Sequence, residues 1–199
     1  MTEALVLALA YLLGSIPFGY LAGRLRGVDI RKTGSRNTGA TNVFRTLGRG
    51  MGIAVMAADI LKGLAAVLIA RALLDDPWPL AAAALAVAGH VFPVWLRFRG
   101  GKGVAVAAGA LIGVMPLVSL TLVALWVAIV VTTRYVSLAS VVCALALTPL
   151  AWLYGSDWPS IALAGAVSLA ILVRHRANLK RLARGQELRI DLRRPRRAT

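Results

Sequence analysis

The fold class of this chain is decided by residues 50–73, which read GMGIAVMAADILKGLAAVLIARAL. This segment exceeds the roughly 20 residues that a helix needs to cross the hydrocarbon layer of a membrane. Six further apolar segments are present, and they occupy residues 3–23, 78–96, 103–115, 117–132, 135–153 and 158–173. The sequence therefore predicts an all-α polytopic membrane protein with seven transmembrane helices, of which the fourth, fifth and seventh are short.

The composition favours a membrane protein over a soluble one. Hydrophobic residues make up 59% of the 199 residues, and charged residues make up only 16%. Soluble domains carry about 25% charged residues, so the apolar excess is expected to face lipid or a core within the membrane. No polar stretch is long enough for a second domain, which predicts one domain over residues 1–190 and a basic tail over residues 191–199.

The positive charges are concentrated in three polar segments. Of the 23 Lys and Arg residues, seven lie in 24–49, three in 97–102 and ten in 174–197, and the net charge is +15. Because basic loops stay in the cytoplasm, this distribution predicts an N-terminus outside and a C-terminus in the cytoplasm. The same rule accounts for the charge without nucleic acid as a partner. The alternative topology has five crossings, with the fourth and fifth segments either merged or dipping into the membrane.

The first polar loop contains the residue types that bind phosphate. Glycines let backbone N–H groups converge on an anion, hydroxyl groups add donors, and arginine offers a fork of donors. We expect Thr41 or Asn42 to cap a short interfacial helix that carries Arg45. The alternative is a structural linker whose bases only set the topology. The candidate residues of this loop are Gly34, Ser35, Asn37, Thr38, Gly39, Thr41, Asn42 and Arg45.

The second polar loop reads RFRGGKG over residues 97–103 and leads into the fourth apolar segment. Gly100, Gly101 and Gly103 free the backbone to approach a ligand, and Lys102 adds a full charge. The following helix directs its N-terminal N–H groups to the same place, which favours an anion. The pattern is not a Walker A motif, because a glycine follows the lysine and a membrane helix precedes it. The alternative is a tight helical hairpin.

Three further positions are candidates for polar roles. If the last helix continues beyond residue 174, His175 and Asn178 share one of its faces. Asp59 and Lys62 lie at i, i+3 inside an apolar segment, where ionisable groups pair with each other or line a polar cavity. His90 lies in the third apolar segment, and either a helix contact or a substrate contact explains it.

Together these stretches resemble the bacterial family of acyl-phosphate-dependent glycerol-3-phosphate acyltransferases of the inner membrane. The resemblance covers most of residues 14–187 in the order of the family motifs. The stretches are GSIPFGY (14–20), DIRKTGSRNTGATN (29–42), DILKG (59–63), GHVFP (89–93), GGKGVA (100–105) and RHRAN (174–178).

The resemblance implies a reaction and a site. An acyl phosphate would donate its fatty acyl group to the 1-hydroxyl of glycerol 3-phosphate at the cytoplasmic surface, giving lysophosphatidic acid and phosphate. The catalytic residues it implies are Ser35, Arg45, Lys102, His175 and Asn178. The substrate-binding residues we predict are Gly34, Asn37, Thr38, Gly39, Thr41, Asn42, Asp59, Lys62, His90, Gly100, Gly101 and Gly103.

The expected partners are glycerol 3-phosphate, acyl phosphate, membrane lipid and other enzymes of lipid synthesis. No cofactor, metal or acyl-CoA is expected, and phosphate on a bound substrate is the expected proton acceptor, with His175 as the alternative base. Three rival functions stay open at this point. They are a transporter of a phosphorylated metabolite, a membrane phosphotransferase or phosphatase, and an assembly factor for lipid-synthesis complexes.

Overall fold

A computed structural model describes residues 1–191 of the chain, and no β-strand occurs within that range. The basic tail expected over residues 191–199 therefore lies, apart from its first residue, outside the described part. The helices are α1 (Thr2–Ser15), α2 (Phe18–Leu25), α3 (Ala40–Leu47), α4 (Arg49–Leu73), α5 (Trp78–Val91), α6 (Val104–Val114), α7 (Pro116–Thr133), α8 (Val136–Leu153), α9 (Trp158–Arg174) and α10 (Arg176–Ala183). A 3₁₀ turn, Val94–Leu96, follows α5.

The helices differ in their ability to cross a membrane. Four are long and apolar enough by themselves: α4, α5 continued to Leu96, α7 and α8. The number rises to six when α1 with α2 and α9 with α10 each count as one bent span. One apolar helix is too short to count as a span: α6 has only 11 residues. It is about 16 Å long, roughly half the thickness of the hydrocarbon layer.

The first apolar segment is not the single straight helix that residues 3–23 suggest. Pro17 lacks a backbone N–H, and the chain breaks at Ile16–Pro17, so that α1 and α2 meet at an angle of 41°. The carbonyl oxygen of Ile16, at this break, accepts hydrogen bonds from the backbone N–H of Phe18 at 3.2 Å and from Lys62 Nζ at 2.7 Å. The bend thus ties the first span to α4.

Small residues allow the helices around the site to pack closely. Gly63 of α4 faces the backbone of Val106, and Gly109 of α6 faces the backbone of Ile60. A methyl group added at either glycine would overlap a carbonyl oxygen of the other helix. This close α4–α6 contact is the packing expected between membrane helices, and it places the start of α6 beside the polar loops.

The chain after α10 folds back over the polar end of the bundle. The backbone N–H of Ile190 donates to the carbonyl oxygen of Arg134 at 2.8 Å, and the side chain of Ile190 packs with Val130 and Val136. The Arg189 guanidinium lies 4.9 Å from the ring centroid of Tyr135. These contacts hold residues 186–191 against the turn between α7 and α8.

Candidate active site

A cavity of about 450 Å³ lies between α4, α6, α7 and α8, and the three polar loops meet at one end of it. The polar end is thus built from parts of the chain that are far apart in sequence. The rest of the wall is mainly apolar, with Asp59, His90, Ser119, Ser137 and Ser140 as its polar residues. The polar side chains at the loop end are those of Ser35, Asn37, Thr41, Asn42, Arg45, Arg49, Lys102, His175, Asn178 and Glu187.

Asn42 organises the first loop. Its Oδ1 accepts a hydrogen bond from the backbone N–H of Ser35 at 2.8 Å, and its Nδ2 lies 2.9 Å from the carbonyl oxygens of Ile30 and Asn37. The residue is 1% exposed. Because buried amides are costly unless they are hydrogen-bonded, these contacts fix the loop in one conformation. Asn42 therefore positions Ser35 and Asn37 at the edge of the cavity.

The short helix expected after this loop is present, but its cap is not the one we expected. Helix α3 begins at Ala40, and Gly39 is its N-cap, without a side-chain hydrogen bond. The expectation that Thr41 or Asn42 caps the helix is wrong, because Asn42 turns its amide towards the loop behind it. The N-terminal backbone of α3 therefore faces the cavity through Gly39 and Thr41.

Arg45 extends from the last turn of α3 to the segment that follows α10. One of its terminal nitrogens donates to the carbonyl oxygen of Leu188 at 2.8 Å, while its buried Nε has no partner among residues 1–191. Burial lowers the pKa of the Arg45 guanidinium, and the carboxylate of Glu187 opposes that shift. An arginine remains charged under such conditions, so Arg45 offers a cation with a spare donor to the cavity.

Arg174 holds the glycine loop in place. Its guanidinium donates to the carbonyl oxygens of Gly100 at 2.8 Å and Gly101 at 3.1 Å. Gly103 has φ of 86° and forms the N-cap of α6. This turn directs the N-terminal N–H groups of α6 towards the cavity, where Val104 also forms part of the wall. The partial positive charge of a helix N-terminus therefore lies next to Lys102.

Lys102 is linked by hydrogen bonds to the third loop. Its Nζ donates to Asn178 Oδ1 at 2.5 Å, Asn178 Nδ2 donates to Glu187 Oε1 at 2.8 Å, and Arg181 Nε donates to Glu187 Oε2 at 2.7 Å. Burial lowers the pKa of Lys102 from 10.5 to about 8, and Glu187 opposes that shift. Burial alone would raise the pKa of Glu187, but the donors Arg181 and Asn178 hold it below its usual value.

His175 lies at the junction of α9 and α10. A straight continuation of the last helix is not observed, because α9 and α10 meet at this residue at an angle of 59°. The ring is 2% exposed, and its Nδ1 lies 2.8 Å from the carbonyl oxygen of Ile171. A carbonyl oxygen only accepts, so Nδ1 carries the proton, and Nε2 of the neutral ring is an acceptor. The bend still leaves both His175 and Asn178 on the cavity wall.

Asp59, Lys62 and His90 form a separate buried cluster beneath the loops. Lys62 Nζ lies 2.7 Å from Asp59 Oδ1 and 3.1 Å from His90 Nδ1. The ring of His90 also supports the glycine loop, because a side-chain carbon at Gly101 would overlap His90 Nε2. Asp59 and His90 reach the cavity wall, whereas Lys62 does not.

Most of the predicted site residues come together in the structure. Twelve of the seventeen line the cavity: Ser35, Asn37, Gly39, Thr41, Asn42, Arg45, Asp59, His90, Lys102, Gly103, His175 and Asn178. The other five do not line it, and they are Gly34, Thr38, Lys62, Gly100 and Gly101. Two residues that sequence reasoning did not select are Glu187, which orients Asn178, and Arg174, which holds the glycine loop. Arg174 lies within the RHRAN stretch, so that motif was a signal for it.

The family model for glycerol-3-phosphate acyltransferase matches residues 4–185. The chain belongs to this family. Its relatives include the glycerol-3-phosphate acyltransferase of Geobacter sulfurreducens, 46% identical over 95% of this chain and 98% of the relative. The protein of the same name from Rubrobacter xylanophilus is 49% identical over 94% of each chain.

Two crystal structures match the fold of this acyltransferase. Both are of PlsY (YgiH), an integral membrane glycerol 3-phosphate acyltransferase, in its glycerol 3-phosphate form and in its lysophosphatidic acid form. The TM-scores are 0.92 and 0.88, with 38% sequence identity and 96% of each chain covered. The predicted family, the acyltransferase class and the all-α membrane fold are therefore confirmed, and the transporter alternative is not supported. Seven crossings and the orientation of the termini stay predictions.

Proposed function

We propose that this acyltransferase transfers a fatty acyl group from an acyl phosphate to the 1-hydroxyl of glycerol 3-phosphate. The products are lysophosphatidic acid and inorganic phosphate. The observation that carries the proposal is one cavity with a cationic end and a mainly apolar remainder. Such a cavity suits a reaction between two phosphate-bearing molecules, one of which has a long hydrocarbon chain.

The cationic end offers two sets of donors for the two phosphate groups. One set comprises Ser35, Arg45 and the N-terminus of α3, and the other comprises Lys102, Asn178 and the N-terminus of α6. We assign glycerol 3-phosphate to the α3 set and the acyl phosphate to the α6 set. An arginine fork and a helix N-terminus both favour a negatively charged phosphate group. The two sets share one cavity end, which brings the reacting groups together.

The reaction needs positioning and charge stabilisation more than a protein nucleophile. The 1-hydroxyl oxygen attacks the acyl carbonyl carbon, the bond from that carbon to the phosphate oxygen breaks, and phosphate leaves. The hydroxyl proton passes to an oxygen of the leaving phosphate, and His175 Nε2 is the alternative acceptor. Lys102 and the N–H groups of α6 stabilise the negative charge that develops on the carbonyl oxygen. A mixed anhydride is already activated, so no ATP or acyl-enzyme is required.

The location of the reaction follows from the charge distribution. The cavity opens among the basic loops, which the positive-inside rule assigns to the cytoplasm. We therefore place the active site on the cytoplasmic face of the bacterial inner membrane. The chain acts there as one domain, residues 1–190, followed by a basic tail. Its product is a membrane lipid, so an association with the next enzymes of lipid synthesis is part of the proposal.

The test is an assay of the purified protein in nanodiscs with dodecanoyl phosphate, whose chain fits the depth of the cavity, and radiolabelled glycerol 3-phosphate. We expect labelled lysophosphatidic acid and an equal amount of phosphate, both insensitive to EDTA. Dodecanoyl-CoA in place of the acyl phosphate is expected to give no product. Transfer from the CoA thioester alone would overturn the proposed donor.

Arg45→Ala tests the assignment of the two phosphates. We expect KM for glycerol 3-phosphate to rise about 10- to 100-fold, because a hydrogen bond to a charged group contributes about 1.5–3 kcal/mol. The matched control is Arg176→Ala, which removes an exposed arginine outside the cavity wall. A rise in KM for the acyl phosphate instead would reverse the assignment.

A further inference from the structure

The apolar part of the cavity has two kinds of wall. Near the loops, Ile53 of α4 and Val127 of α7 are 54% and 48% exposed, so this part is open to the surrounding lipid. Farther from the loops, Leu111 of α6 and Leu147 of α8 are 3% and 2% exposed. The cavity is thus open at its side and enclosed by protein at its inner end.

The inner end is part of the main hydrophobic core. Leu111, Leu122, Cys143, Ala144 and Leu147 all belong to the core cluster formed by α1, α4–α9 and the turns between them. Two polar groups there are bonded internally, since Ser119 Oγ donates to Ala108 O at 2.9 Å and Cys143 Sγ donates to Leu122 O at 3.4 Å. The end wall therefore presents hydrocarbon to the cavity and is packed from behind.

The depth of the cavity can be estimated from the helices that line it. Gly103 and Leu111 lie eight residues apart on one helix axis, which is about 12 Å. Val136 and Leu147 lie eleven residues apart, about 16 Å. An extended hydrocarbon chain advances about 1.3 Å per carbon, given bonds of about 1.5 Å at tetrahedral angles. The two depths correspond to about nine to twelve carbons beyond the reacting carbonyl group.

We propose that the enclosed end of this cavity, formed by Leu111, Leu122, Ala144 and Leu147, sets the acyl chain length that the enzyme uses. The inference rests on the proposed function, because it requires an acyl chain in the cavity. A chain that follows the cavity inwards ends against these side chains, and a longer chain must displace packed core residues. Overpacking of a core costs about 1–3 kcal/mol. A chain that leaves between Ile53 and Val127 would meet lipid, and its length would not matter.

The first test enlarges the inner end. For wild type, kcat/KM is measured over saturated acyl phosphates from octanoyl to octadecanoyl, and the longest efficient substrate defines the limit. Leu147→Ala is expected to raise that limit by one or two carbons, with about a fourfold gain in kcat/KM per carbon newly accommodated, the factor for burying one CH₂ group. Leu145→Ala is the matched control, since Leu145 lies on the same helix, is 60% exposed and does not line the cavity.

The second test fills the inner end. Ala144→Phe is expected to lower the limit by several carbons and to reduce kcat/KM for the longest wild-type substrate about tenfold or more. Octanoyl phosphate should be turned over as by wild type, which shows that the variant is folded. Ala144→Val covers the case in which the phenylalanine prevents folding, and its shift should be smaller and in the same direction.

The outcomes separate this inference from the proposed function. If wild type uses no acyl phosphate at all, the proposed function fails. If wild type is active but both variants keep the wild-type profile, only the chain-length inference is overturned, and the side opening is the path of the chain. A uniform loss at every length in Ala144→Val, without a shift of the limit, would also contradict it.

Discussion

Two buried lysines of this chain have opposite surroundings. Lys62 Nζ has three close contacts: it forms an ion pair with Asp59, donates to Ile16 O and lies 3.1 Å from His90 Nδ1. Lys102 uses one donor, to the neutral amide of Asn178, and no carboxylate within residues 1–191 lies within ion-pair distance of it. A lysine that is paired with a buried carboxylate holds the structure together, whereas a lysine without such a partner can bind an anion. The two sites are joined by His90, which contacts Lys62 and supports the glycine loop.

The largest effect is expected from Lys62→Met, and it should be an effect on stability. The substitution leaves Asp59 buried without its counter-ion, which costs about 3–5 kcal/mol. The free energy of unfolding in detergent is the measurement, and Lys32→Met is the control, because Lys32 is exposed. The double variant Asp59→Leu/Lys62→Met should recover most of the loss. If it is no more stable than the single variant, the ion pair is not the reason.

Lys102→Ala should affect catalysis instead. Loss of one stabilising donor is expected to reduce kcat about 10²- to 10³-fold. The free energy of unfolding should stay close to that of wild type, because no buried charge loses its counter-ion. Lys180→Ala removes an exposed lysine of α10 and serves as the control. Turnover within tenfold of wild type would show that Lys102 is structural like Lys62.

Gly101→Ala tests the link between the two sites. The added methyl group would overlap the His90 ring, so the loop that carries Lys102 must shift. We expect kcat/KM to fall about 5- to 100-fold, the range that corresponds to an overpacking cost of 1–3 kcal/mol. Gly50→Ala is the matched control, because a methyl group there meets open space. Equal activities of the two variants would show that the contact with His90 does not determine the position of the glycine loop.

The smallest effect concerns pH. The pKa of Lys102 is lowered to about 8, and only the protonated lysine stabilises negative charge. The value of kcat/KM should therefore fall as pH rises through 8 and be about tenfold below its plateau at pH 9. Bound phosphate favours the charged form, so the decline of kcat should lie at higher pH. Lys102→Arg should abolish the decline, because arginine stays protonated. A decline that persists in this variant must come from another group.

The sequence predicted the helices and the loop cluster well for identifiable reasons. A single long apolar run such as residues 50–73 is stable in lipid as an α-helix, because the helix bonds all of its backbone groups within the segment. The candidate residues of the loops could be recognised because glycine, hydroxyl and cationic groups together suit an anion. The short fourth segment was also anticipated, and α6 has only 11 residues.

Other features depended on contacts that no local pattern shows. The predicted cap of α3 was wrong because the side-chain amide of Asn42 donates to the carbonyl oxygens of Ile30 and Asn37. These contacts depend on the path of the loop. Glu187 lies nine positions after Asn178 and reaches it only because residues 186–191 fold back over the polar end of the bundle. The bend at His175 has no proline or glycine to signal it. Tertiary contacts determine all three features, so they could not be predicted from local sequence propensity.

The shortness of α6 has a consequence for where its two ends lie. A helix of about 16 Å covers only about half of a hydrocarbon layer of about 30 Å, so a helix that starts at one boundary ends inside the layer. None of residues 104–114 is exposed, so neighbouring helices, and not lipid, surround the inner end of α6. In the proposed orientation the start of α6, beside Lys102, lies at the cytoplasmic boundary, and the cavity leads from there towards the interior of the bilayer. The tail of the lipid product can then leave sideways between Ile53 and Val127 without passing through water.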